Sequence, residues 1–157
     1  AYKYYHIMKN IILITFLFFV FGCGYTSVYK DLEIKDFQIT VTEIEGDKDI
    51  NNHIKNQIDL YSNKNSVDKF DVTIVTRYKK EELTKNSAGS VIDYKLSVNS
   101  IFTINFNEKS KKVTFNESIN IKDQTNNFEQ DAYEKNIKKN FASSLRQKLL
   151  SKILSMK

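Results

Sequence analysis

Residues 91–106, VIDYKLSVNSIFTINF, form the longest run of alternating apolar and polar side chains in the chain. Ile92, Tyr94, Leu96, Val98, Phe102, Ile104 and Phe106 fall on one side of such a segment. A period of two is the signature of a strand with one buried face. Sixteen residues is long against the usual ~5–6. A strand of that length cannot stand alone. It needs neighbours to satisfy its backbone and a second layer to cover its apolar side. Residues 107–111, NEKSK, read as the turn that follows it, and 113–121, VTFNESINI, alternate again as a hairpin partner. Upstream, 37–44 (FQITVTEI) and 70–78 (FDVTIVTRY) show the same alternation, which makes four strands.

Two segments have the other period. Gly46-Asp47 breaks the first strand, and Asp47 or Asp49 is placed to cap a helix whose apolar face is Ile50, Ile54, Ile58 and Tyr61. Residues 63–66 read as a turn and 81–89 as a polar loop. After the polar stretch 123–127 comes a long C-terminal helix carrying Phe128, Ala132, Tyr133, Ile137, Phe141, Leu145, Leu149 and Ile153 along one side. The order is β-α-β-β-β-α. The simplest burial is an α+β two-layer sandwich, with both helices packed on one face of a four-stranded mixed sheet. The first crossover makes strands one and two parallel. Residues 37–157 form this single domain, and no internal repeat is present.

The N-terminal part is of another kind. Met8, Lys9 and Asn10 precede IILITFLFFVF at 11–21, a positive region followed by an apolar core of secretory-signal length. That core is shorter than the ~20 residues a membrane-crossing helix needs. Residues 1–7 read as a start placed too early or as an extension of the positive region. Val20-Phe21-Gly22-Cys23 resembles the lipobox of bacterial lipoproteins. The resemblance implies a signal ending at residue 22 and lipid on the Cys23 sulfur and amine, followed by a tether over 23–36. It also explains why the chain has a single cysteine. The plainer alternative is an uncleaved anchor with an incidental cysteine. Gly24, where an inner-membrane retention signal would place aspartate, implies sorting to the outer membrane.

Composition narrows the chemistry. One cysteine excludes an intrachain disulfide. His53 is the only histidine after Cys23, so a His/Cys metal site is excluded, and no calcium-loop pattern is present. There is no P-loop, no G-x-G-x-x-G and no G-x-S-x-G. The acidic pairs Asp47/Asp49 and Glu81/Glu82 are more simply a helix cap and a solvated loop than general acid–base groups. No enzyme, metal or cofactor is expected. The net charge of +5 includes Lys3 and Lys9, which lie upstream of Cys23. Three basic groups remain: Lys79-Lys80, Lys109/Lys111/Lys112, and Lys135/Lys138/Lys139/Arg146. Solvated faces are the plain reading of each. A nucleic-acid partner is disfavoured, because the chain carries an export signal and its aromatic residues alternate onto the face the helices cover.

Gly22-Cys23-Gly24-Tyr25, a short tether, the Glu45-Gly46-Asp47 turn into an isoleucine-rich helix and β-α-β-β-β-α in the rest of the chain together resemble the lipopolysaccharide-assembly lipoprotein family LptE, also called RlpB. That resemblance implies an outer-membrane lipoprotein on the periplasmic side, held by its N-terminal lipid. Such a protein plugs the LptD barrel, helps it assemble, and binds lipopolysaccharide in transit to the cell surface. A lipid-anchored periplasmic binding or envelope-scaffold module with no barrel partner is the alternative. For lipopolysaccharide the expected contacts are the hairpin lysines Lys109, Lys111 and Lys112, whose closely spaced ammonium groups suit a phosphate pair.

The outward side of the sheet supplies independent support. It collects Gln38, Thr40, Thr42, Thr73, Arg77, Ser97, Asn99, Thr103, Asn105, Thr114, Asn116, Ser118 and Asn120, nearly all uncharged hydrogen-bonding groups. A solvated sheet face usually carries more Lys and Glu. Ser97, Asn99, Thr114, Asn116 and Ser118 are therefore the expected contact with a hydrated barrel wall. The strand preference of threonine is the competing explanation.

Overall fold

The computed structural model describes residues 37–124 and 126–156. The lipobox, Cys23 and the tether lie outside them. The elements are β1 (Phe37–Gly46), α1 (Lys48–Tyr61), β2 (Asp68–Lys85), β3 (Val91–Phe106), β4 (Lys109–Lys122) and α2 (Asn127–Leu154). One sheet has the spatial order β1-β2-β3-β4. β1 and β2 are parallel, and the other two pairs are antiparallel. Both helices cover one face, so the α+β two-layer sandwich expected from the sequence is the observed fold.

The turn into α1 is built from two residues. Gly46 has φ +96°, the left-handed region that favours glycine. Asp47 then donates its backbone N–H to the Thr76 carbonyl at 2.9 Å, while its side chain accepts from the Ile50 N–H at 3.0 Å. Capping fixes the helix phase, so that Ile50, Ile54 and Ile58 are fully buried. They meet Phe70, Val72 and Ile74 of β2, Leu96, Val98, Phe102 and Ile104 of β3, and Phe141, Leu145, Leu149 and Ile153 of α2. Each such side chain contributes ~1.5–3 kcal/mol by leaving water. Two hydroxyls interrupt this face. Thr76 and Ser100 are cross-strand partners, both fully buried, and they hydrogen-bond each other, which satisfies both groups.

Four expectations are corrected. First, β2 does not end at residue 78. Glu81 and Glu82 continue the ladder opposite Lys95 and Tyr94, so the polar stretch 81–85 is strand and only residues 86–90 turn. Charged residues read as loop, yet the long β3 supplies their backbone partners. Second, the β3–β4 turn has two residues, not five. Asn107 and Glu108 both have positive φ, 46° and 63°, the geometry of a tight hairpin whose twist matches its strands. Lys109 and Lys111 therefore belong to β4.

The third correction concerns the first turns of α2. Phe128 and Tyr133 are exposed, as is Ala132, and the inward positions are Gln130, Glu134 and Ile137. The reason is polar docking. Glu134 accepts from the Tyr78 hydroxyl at 2.7 Å and from the Lys80 ammonium at 2.8 Å. Lys138 bridges Asp47 at 2.9 Å and lies over the Tyr78 ring. Burial, and then the bond to Glu134, push the Tyr78 hydroxyl pKa up. Burial works to raise that of Glu134, but the bonds from Lys80 and Tyr78 outweigh it and hold its carboxyl below the usual range. Burial likewise works to lower the pKa of Lys138, and Asp47 and Asp49 together raise it above the ordinary lysine value. Fourth, Ile92 lies at the exposed end of the β2–β3 hairpin and is not core.

Candidate functional site

Period-two alternation and the cross-strand register together assemble the outer face. On β3 and β4, Ser97 is opposite Ser118, Asn99 opposite Asn116 and Ile101 opposite Thr114. The Asn99 amide donates to the Asn116 side-chain oxygen. All five residues expected at a barrel wall, Ser97, Asn99, Thr114, Asn116 and Ser118, therefore lie in one contiguous patch on the side away from both helices. Thr42 and Thr73 approach each other beside it. Val75 and Ile101, cross-strand partners and half-buried, adjoin the patch as an apolar pair.

Sequence reasoning placed Arg77 on this face but not Lys79 or Lys95. Arg77 pairs with Asn99 and Lys79 with Ser97, while Lys95, two residues before Ser97, lies diagonal to Lys79. Arg77, Lys79 and Lys95 flank Ser97, Asn99, Asn116 and Ser118 around a shallow groove of about 530 Å³. Glu81, opposite Lys95, is the acidic counterpart on this side. The chain positions do not suggest the cluster, since 77–79 and 95 become neighbours only once the β2–β3 register is known. The Lys79-Lys80 pair is also divided. Lys79 faces outward, and Lys80 is ion-paired to Glu134 on the helix side.

The hairpin lysines do not form one group. Lys112 pairs with Thr103 and faces outward, whereas Lys109 and Lys111 pair with Phe106 and Ile104 and face the helix layer. A five-residue turn would have left their side chains free to converge; the two-residue turn places them in a strand, where neighbours alternate. Lys109 and Lys111 line a second groove, of about 460 Å³, with Phe106, Ser110, Ser155 and Met156. Lys152 of α2 lies beside Lys111, and its hydrogen bond and positive charge lower the Lys111 pKa. This end thus offers Lys109, Lys111 and Lys152 above an apolar floor of Phe106 and Met156. Among the described residues no helix is long and apolar enough to cross a membrane. No three His, Cys, Asp or Glu side chains among them gather into a metal-binding group.

No family model and no curated protein matches the chain. Solved structures do. The crystal structure of rare lipoprotein B from Shewanella oneidensis superposes with a TM-score of 0.57 over 76% of this chain and 98% of that one, at 12% identity. The fold is that of rare lipoprotein B. At this identity the likeness is one of fold, and no residue role crosses from it. Lipoprotein B from Nitrosomonas europaea aligns over 72% of this chain and 82% of its own at 12% identity, with a TM-score of 0.46. A lipoprotein from Caulobacter crescentus aligns over 80% and 95% at 7% identity, with a TM-score of 0.48. These two align too loosely to carry an argument. The rare-lipoprotein-B fold spans the described domain, and its β-α-β-β-β-α order is the one the sequence resemblance implied.

Proposed function

We propose that this chain is an outer-membrane lipoprotein of the LptE type. In this reading it is anchored by lipid on Cys23, seated in the lumen of an LptD-type barrel, and engaged in lipopolysaccharide transport to the cell surface. The observation that carries the proposal is the outer sheet face. Its small neutral groups (Ser97, Asn99, Thr114, Asn116 and Ser118) adjoin the apolar pair Val75 and Ile101 and suit a wet, closely packed interface better than a free surface. The fold likeness to rare lipoprotein B supports the same reading. Replacing Ser97, Asn116 and Ser118 together by glutamate would set bulky charged side chains against a barrel wall. The domain should fold normally by circular dichroism and fail to co-purify with the barrel after detergent extraction. Normal folding with normal assembly would leave that face as solvated surface.

For lipopolysaccharide, the groove lined by Lys109, Lys111, Phe106 and Met156, with Lys152 beside Lys111, matches an anionic headgroup with an attached acyl chain. Lys112, on the opposite face, is not part of it. Reversing Lys111 and Lys152 to glutamate should weaken lipopolysaccharide binding by at least about tenfold, given ~1.5–3 kcal/mol for a charged hydrogen bond. Reversing Lys112 should not. Equal losses would remove the assignment.

The outer groove with Arg77, Lys79 and Lys95 favours a second reading, a lipid-anchored periplasmic binding module without a barrel. Absence of any barrel from the detergent-extracted wild-type protein selects it.

A further inference from the structure

The sheet has two open edges, and the protein treats them differently. A free edge is a row of unpaired N–H and C=O groups able to pair with another chain, and proteins usually blunt it. β1 is blunted twice. The Ser62 hydroxyl accepts from the Ile39 N–H at 2.8 Å and donates to the Ile39 carbonyl at 3.2 Å, and the Asn63 N–H takes the Phe37 carbonyl at 3.1 Å. Beyond these, the β1 register shifts between Val41 and Glu43. Among the described residues β4 is guarded only at its last residue, where the Gln124 side-chain amide donates to the Lys122 carbonyl at 3.1 Å. Its pairing with β3 runs from Lys109 to Lys122 without a shift, and the chain then turns back across the sheet, where the Asp123 N–H meets the Ile92 carbonyl at 2.9 Å. Between residues 113 and 121 its one charge is Glu117, already held by Lys148 and Ser144. On the helix side Val113 and Phe115 are half-buried and Ile119 is 39% exposed, which leaves an apolar ledge beside α2.

We infer that the β4 edge accepts an extended strand from the partner polypeptide, which extends the sheet to five strands. The added strand has apolar residues at alternate positions over Val113, Phe115 and Ile119, and small polar ones on the outer side with a carboxylate beside Lys112. Symmetric pairing with a second copy of this chain brings like charges together. Antiparallel self-pairing centred on Glu117 sets Lys112 opposite Lys122 and Glu117 opposite itself, and parallel in-register pairing sets every lysine beside its copy. The inference rests on the barrel reading above. Since a closed barrel wall has no free edge, the strand comes from a loop or terminal segment of the barrel chain that enters the lumen.

The test is amide hydrogen exchange on the full chain, in detergent, alone and in the co-purified complex. In the complex, alternate β4 amides, those whose N–H groups face away from β3, should slow by at least about fivefold, the protection one added hydrogen bond gives. The Ile39 amide, already bonded, should not change. Ile119→Lys, a charge at the ledge with its end in water, should abolish co-purification while Ile119→Val retains it. If the wild-type complex forms and the β4 amides exchange as in the free chain, the inference fails. It fails equally if Ile119→Lys folds and still co-purifies, or if protection appears in the isolated chain and rises with its concentration. If no barrel co-purifies with the wild-type chain, the functional reading fails first.

Discussion

At Gly46 the backbone leaves β1 with positive φ, and a methyl group there would stand 1.8 Å from the Thr76 carbonyl oxygen. That oxygen already accepts from Asp47, so it cannot withdraw without uncapping α1. Gly46→Ala should therefore cost about 3 kcal/mol, read as a lowered urea midpoint. Gly89 is the comparison. Its φ is +83°, and a methyl group there would meet nothing within 4 Å, so Gly89→Ala should cost only the conformational ~1 kcal/mol. In the sequence both glycines read as turns. What separates them, the approach of β2 to Gly46, is a tertiary fact. The same holds for Ser100, which reads as a polar gap in the apolar side of β3 until Thr76 is placed opposite it.

At the scale of elements, period and capping made most boundaries legible. β3 and the capped α1 follow directly from alternation and from Asp47. Elements whose inward residues are polar did not show. The start of α2 turns Gln130 and Glu134 toward the sheet, and an apolar stripe drawn through Phe128 and Tyr133 misses that face. Its docking is electrostatic and so depends on pH. Glu134 titrates below its unfolded value, so its contribution is present above the ordinary glutamate pKa of ~4.3 and is lost as the pH falls through the folded value. Lys138 titrates above its unfolded value. Its contribution is present below ~10.4 and is lost as the pH rises through the folded value. Glu134→Gln should lower the urea midpoint at neutral pH, and the difference from wild type should shrink as the pH falls below the ordinary glutamate range. A difference that persists unchanged in acid would mean that shape, not charge, seats the helix.

For the whole molecule, the layer arrangement was legible because four one-sided strands and two one-sided helices have few ways to hide their apolar faces. The binding surfaces were less so. Whether Lys109, Lys111 and Lys112 act together depends on one turn being two residues or five, and turn length is the weakest signal in a run such as NEKSK. Cys23→Ser tests the proposed anchor at this scale. Without the only thiol that can be acylated, the chain should be released from membranes on fractionation of a strain depleted of the barrel. Continued tight association there would remove lipidation as the anchor.

The length of β3 has a consequence of its own. Sixteen residues at ~3.3 Å make a rigid blade of roughly 50 Å. Phe37, where the tether joins the sheet, is at the Phe106 end, as the ring contacts of Phe37 with Phe70 and of Phe70 with Phe106 record. The turn at residues 86–90 is at the other end. A hydrocarbon layer is ~30 Å thick. In the proposed reading, with lipid upstream of Phe37 and the domain in a barrel lumen, this blade would be longer than the hydrocarbon layer around it. Adding or removing two residue pairs between β2 and β3 would move its tip by ~7 Å and leave the core untouched.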